Sequence, residues 1–117
     1  MIGIDIVEIS RIEKLKVKFG DKFTDRILNQ SEIMLVKNDV TLAGFYAAKE
    51  AISKALGTGI GSEFGFKDCE IYKDLRGSPC IKFTPEISNK FKIQKADLSI
   101  SHAGGFAIAA VIILKQI

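Results

Sequence analysis

A chain of 117 residues, 47% hydrophobic and 26% charged, is the size of one domain, spanning residues 1–117, with room for one core but not two. No apolar run is long and clean enough to cross a bilayer, and no basic n-region precedes an apolar stretch, so neither a membrane span nor a secretory leader is expected and a cytoplasmic location follows by default. The net charge of +3 is mild but concentrated, because Arg11, Lys14, Lys16, Lys18, Lys22 and Arg26 meet only Glu13, Asp21 and Asp25 in the same stretch. Such a face suits a nucleic acid, a phosphate-rich ligand or an acidic protein, or is simply solvated.

The chain opens with IGIDIVEI, whose period of two predicts a strand. Ile2, Ile4 and Ile6 are expected to face the core, which leaves Asp5 on the opposite side between Gly3 and Val7. Aspartate is a poor strand former and an unpaired buried carboxylate is costly, so a protein cation, a metal ion or edge water must compensate it.

Ser10-Arg11-Ile12-Glu13 fits a capping box and predicts a helix with Ile12, Leu15 and Phe19 on its apolar side, ended by Gly20. A short helix is predicted over DKFTDRIL and another over SEIMLVKN. Asp39 or Thr41 then caps the strongest helix, LAGFYAAKEAISKAL, which Gly57 terminates. Its apolar stripe is Ala47, Ala48, Ala51, Ile52, Ala55 and Leu56, small enough for close packing. Glu50 and Lys54 lie one turn apart on a different face, with Ser53 beside them; alone they read as a surface ion pair.

The glycine-rich GTGIG follows, able to bring backbone amides against a phosphate but lacking the lysine and spacing of a P-loop. CEIY and PCIKF form two strands around the turn LRGSP, PEISNKFK is a weak helix, and DLSIS and FAIAAVIIL close the chain around HAGG. Cys69 and Cys80 have neither CxxC spacing nor a neighbouring histidine, and read as reduced apolar strand residues. His102, the one histidine, falls at the tip of the last hairpin, either a turn residue or a phosphate contact or proton carrier. Strand, helices, then four strands indicate an α+β domain, mainly antiparallel, with helices packed on one face.

Asp5 and Glu50 together would suit Mg²⁺, which takes one or two carboxylates and fills its sphere with water and phosphate oxygens; Lys54 beside them would stabilise charge on a phosphate or leaving group. Three segments in order carry a resemblance: GIDIVEISRI at 3–12, FYAAKEAISKALGTGIG at 45–61 and LSISHAGGFAIAAVI at 98–112, with GSP at 77–79. They resemble the bacterial holo-acyl-carrier-protein synthases, the small 4′-phosphopantetheinyl transferases.

The resemblance implies Mg²⁺-dependent transfer of 4′-phosphopantetheine from coenzyme A to a serine of apo-acyl carrier protein, releasing adenosine 3′,5′-bisphosphate and supporting fatty acid biosynthesis. By it, Asp5 and Glu50 match the metal ligands, and Glu50 is also a candidate base acting on a bound water. Lys54 matches the lysine at the leaving phosphate. Lys49, Ser53, Gly57, Thr58, Gly59, Pro79 and His102 are expected at coenzyme A, and Arg11, Lys22 and Arg26 at the acidic carrier protein. A homotrimer with sites between subunits is implied, and neither nucleic acid nor membrane as partner. Phe45 stands where the family often has arginine, so either another cation such as Lys49 replaces it or coenzyme A binds more weakly.

Two rivals remain. A metal-dependent nuclease places its Glu and Lys at i,i+2 on a strand, unlike the helical i,i+4 here. A basic, non-catalytic module for RNA or an acidic protein explains Arg11 to Arg26 but not Asp5 and Glu50.

Overall fold

The computed structural model describes residues 1–117. Strand β1 (Ile2–Glu8) runs directly into helix α1 (Ile9–Phe19). The capping box expected at Ser10 does not form: Glu8 holds the N-cap position without a side-chain cap bond. The strand's own pairing continues to Glu8, and the Ile9 amide donates to the Gly105 carbonyl at 2.9 Å, so the entry into the helix is secured from the far end of the chain. Helix α2 (Asp21–Ile27) follows Gly20 as expected.

The next helix is shorter than its pattern predicts. Helix α3 covers only Gln30–Ile33, because Glu32 turns into the core and accepts from the amides of Asn29 and Ile71. The central helix α4 (Asp39–Leu56) is capped by Asn38, whose Oδ1 accepts from the Thr41 amide at 2.8 Å, rather than by Asp39 or Thr41. Gly57 ends it in the left-handed region with φ 80°, where glycine carries no Cβ penalty.

A 3-10 turn at Phe66–Asp68 leads into the hairpin of β2 (Cys69–Lys73) and β3 (Pro79–Phe83), a separate two-stranded sheet. After helix α5 (Pro85–Lys90) come β4 (Ile93–Ala103) and β5 (Phe106–Lys115). Their two-residue turn, Gly104-Gly105, has φ of 59° and 86°, the positive pair that a tight hairpin requires. His102 is therefore a strand residue opposite Ala107, not part of the turn. The main sheet is antiparallel in the order β1-β5-β4, and α4 lies across one face of it.

The faces of β1 are the reverse of expectation. Ile2, Ile4 and Ile6 are 75%, 57% and 60% exposed, whereas Gly3 is buried and Val7 is 4% exposed. Helix α4 causes this by lying so close to β1 that a Cβ on Gly3 would come within 2.8 Å of the Ala55 nitrogen. Only the smallest side chain fits under the helix, so the isoleucines take the open side, next to the exposed Ile112 and Leu114. The predicted stripe of α4 is buried throughout, within one continuous apolar cluster. No helix is long and apolar enough to cross a membrane. Both cysteines are free, and burial pushes the Cys69 thiol up to about 12, which leaves it unreactive.

Candidate active site

Helix α4 is buried on nearly every side, and the exceptions after its first turn, Tyr46, Glu50 and Lys54, recur every four residues. They form one stripe on a helix that otherwise presents only apolar or sealed side chains. The sheet delivers Asp5 to the same place, since the face that carries Gly3 under the helix carries Asp5 as well. Lys54 Nζ donates to Asp5 Oδ1 at 2.8 Å and to the Ile4 carbonyl at 3.2 Å. The compensation that Asp5 required is here a protein cation.

Glu50 completes the cluster electrostatically. Burial, and then the negative charge of Asp5, raise its pKa above the usual carboxylate range, against the opposing cations of Lys54 and Arg11. Lys54 in turn is held above the ordinary lysine value, chiefly by its hydrogen bond to Asp5. The two carboxylates that repel each other are hard oxygen donors, and no third His, Cys, Asp or Glu joins them. That donor set fits Mg²⁺, which leaves most of its sphere to water and phosphate oxygens.

Glu50 borders a cavity of about 490 Å³ between α4, α1 and α2. Its walls are mostly apolar, with Phe19, Phe23, Ile60 and Phe66 among them, and Lys22 and Arg26 supply its cations. Arg11 acts on Glu50 and Tyr46 through its charge. All three expected carrier-docking cations thus flank the candidate catalytic carboxylate. Tyr46 was not singled out from sequence; its ring packs against Phe23 and Phe66 at centroid distances of 6.3 and 5.6 Å. The i−4 spacing from Glu50 was the signal for it.

Pro79 and His102 lie elsewhere. They line a second cavity of about 310 Å³ at the N-terminal half of α4, with Thr41, Gly44, Phe45 and Lys73. Lys73 is also new, and it is the cation that stands near Phe45.

Three expectations are corrected. Lys49 has no exposed surface: its Nζ donates to Glu32 Oε1 at 2.7 Å and to the carbonyls of Ile27 and Phe66 at 2.7 and 2.8 Å. All three of its protons are used inside the core, so it neither reaches coenzyme A nor replaces an arginine at Phe45. Ser53 is equally inaccessible, its hydroxyl donating to the Glu50 carbonyl at 2.6 Å. The amides of Gly57, Thr58 and Gly59 donate to the carbonyls of Lys54 and Ser53. They close the end of α4, so these amides form no cradle for a phosphate, while the three residues themselves stay at the surface, where contact with coenzyme A is still the expectation.

Comparison with known proteins accords with this fold. The family model of the 4′-phosphopantetheinyl transferase superfamily matches residues 1–111. The holo-[acyl-carrier-protein] synthase of Nautilia profundicola is 64% identical over 115 residues, covering 98% of this chain and all of that protein. Its counterpart in Campylobacter fetus is 59% identical over 97% of this chain and 98% of its own length. The crystal structure of the Helicobacter pylori holo-[acyl-carrier-protein] synthase in complex with coenzyme A superposes with a TM-score of 0.95 at 49% identity, over 97% of this chain and all of that one. The Bacillus anthracis synthase, solved in complex with CoA (3′,5′-ADP), gives 0.83 at 41% identity, over 98% of this chain and 96% of that one. The fold is that of a phosphopantetheinyl transferase, and the chain belongs to the holo-[acyl-carrier-protein] synthase family.

Proposed function

We propose that this enzyme transfers 4′-phosphopantetheine from coenzyme A to a serine of apo-acyl carrier protein and releases adenosine 3′,5′-bisphosphate. The observation that carries the reading is the gathering of Asp5, Glu50 and Lys54 beside a cation-rimmed cavity, in a chain this similar to synthases of that name. The serine oxygen attacks the phosphorus that bears pantetheine, and the bond from that phosphorus to the nucleotide phosphate oxygen breaks. Glu50, made more basic by its burial, accepts the serine proton through a water. Lys54 neutralises the charge that develops on the departing phosphate.

Asp5 and Glu50 are the residues that would hold Mg²⁺. Such an ion supplies Lewis-acid neutralisation of the pyrophosphate. Arg11, Lys22 and Arg26 receive the acidic carrier protein around Glu50. Pro79, His102 and Lys73 bind the nucleotide end of coenzyme A, with Lys73 serving where the family often has arginine at position 45.

These two groups of contacts line different cavities along α4, which favours a ligand shared between copies of the chain. The exposed face of Ile2, Ile4, Ile6, Ile112 and Leu114 supplies an apolar surface for such an assembly, read as a homotrimer. The product serves fatty acid biosynthesis in the cytoplasm. The test is intact-mass spectrometry of apo-acyl carrier protein after incubation with the enzyme, coenzyme A and Mg²⁺. A gain of one phosphopantetheine that EDTA abolishes is the expected result; an unchanged mass overturns the reading.

A further inference from the structure

The mechanism leaves one buried pair of charges without a role. Lys49 and Glu32 are both fully buried and 2.7 Å apart. Burying two charges is expensive, and a pair of apolar residues in the same space is often as stable, so stability alone is a weak reason for the pair. Its hydrogen bonds point to something more specific. Lys49 Nζ takes the carbonyl of Ile27, in the last turn of α2, and that of Phe66, in the 3-10 turn. Glu32 Oε1 and Oε2 take the amides of Asn29 and Ile71. The end of α2, the N-cap of α3, the 3-10 turn and β2 all converge on one ion pair.

Two of those segments form the wall facing Glu50. Ile27 and Phe66 line its cavity themselves, and Arg26, next to Ile27, supplies one of its cations. The Phe66 ring also packs on Tyr46, the residue one turn before Glu50 on the same stripe. Lys49 is the neighbour of Glu50 in sequence, yet the two side chains diverge: one enters the core and fixes the wall, the other enters the cavity.

We infer that Lys49, with Glu32, is a positioning residue for the transferase: it never touches substrate, but it sets the placement of Arg26 and Phe66 against Glu50 for the incoming carrier protein. The inference rests on the transferase reading above. Asp5 and Lys54, by contrast, sit on β1 and the last turn of α4 and make no bond to this pair. The groups placed at the metal and the leaving phosphate are therefore not tied to it, and its hold on the coenzyme A cavity runs through Ile71, two residues before Lys73 on β2.

The experiment is steady-state kinetics of the Lys49→Met/Glu32→Gln double variant, with apo-acyl carrier protein and coenzyme A varied separately. The apparent KM for carrier protein rises about tenfold or more, as small misplacements of positioning groups produce, and any rise in the KM for coenzyme A is smaller. A variant that loses only thermal stability, with both KM values unchanged, overturns the inference and leaves the pair a packing element. A rise in the KM for coenzyme A instead of carrier protein overturns it too. Phe66→Leu probes the other end of the same relay without disturbing the buried charges, and it decides the matter should the double variant fail to fold. It is expected to raise the carrier-protein KM in the same way; an unchanged value in a folded Phe66→Leu protein overturns the inference. An inactive wild-type protein would instead discard the transferase reading itself.

Discussion

A Cβ placed on Gly3 would stand 1.8 Å from the carbonyl oxygen of Ala51. Strand β1 and helix α4 meet backbone to backbone at that point, and the close approach is what brings Asp5 within reach of Lys54. Backbone cannot rotate out of the way, so Gly3→Ala forces the helix off the sheet. Its expected cost is at the upper end of about 1–3 kcal/mol, read by chemical denaturation. Because the shift also separates Asp5 from Lys54 and Glu50, the folded fraction loses activity as well.

Asp5→Asn and Glu50→Gln behave differently. Neither side chain belongs to the apolar cluster, so both variants are expected to fold with wild-type circular dichroism. Their kcat should fall by about a hundredfold or more, roughly 3 kcal/mol of transition-state stabilisation. Loss of folding in either variant would make the carboxylate structural.

The raised pKa of Glu50 gives a pH prediction with a definite sign. The folded state binds this proton more tightly than the unfolded chain, so the group favours folding at low pH, and that contribution is lost as pH rises through the raised value. In EDTA at neutral pH, Glu50→Gln is therefore expected to melt at or above the wild-type temperature. The gap should close as pH falls below the raised value, and calorimetry across that range measures it.

Arg11 lies in the exposed basic stretch, so its contribution to carrier binding is screened by salt. Arg11→Ala should raise the carrier-protein KM at low ionic strength, and the difference from wild type should shrink as salt is added. An equal KM at low salt would remove Arg11 from the docking surface.

Lys73 is the test of the second cavity. Lys73→Ala is expected to raise the KM for coenzyme A severalfold without altering the carrier-protein KM, the opposite split from that at Lys49. A missing effect would return the question of what answers for Phe45.

Much of this architecture was legible in the residues. The strand and helix order, the small-residue stripe of α4, its glycine stop and the hairpins all follow from local pattern, and Asp5, Glu50 and Lys54 were marked by the oddity of a carboxylate in a strand. What could not be read depended on long-range packing. The alternation of β1 gives two faces but not which one is buried, and a glycine demanded by α4 decided it against three isoleucines. Lys49 sits in a motif beside Glu50, the candidate catalytic carboxylate, and only the convergence of Ile27, Glu32 and Phe66 reveals that its ammonium points inward. The amides of Gly57 to Gly59 looked available because a sequence does not display where its backbone hydrogen bonds go.

The order β1-β5-β4 puts the last-made strand in the middle of the sheet. Ile2 pairs with Ile112 and Glu8 with Phe106, so every pairing of β1 spans nearly the whole chain. No part of the three-stranded sheet can assemble until residues 106–115 have left the ribosome, and such distant contacts make folding slow. Until then β1 waits as an unpaired ribbon of isoleucines, which is the interval in which this protein is most exposed to aggregation and most dependent on chaperones.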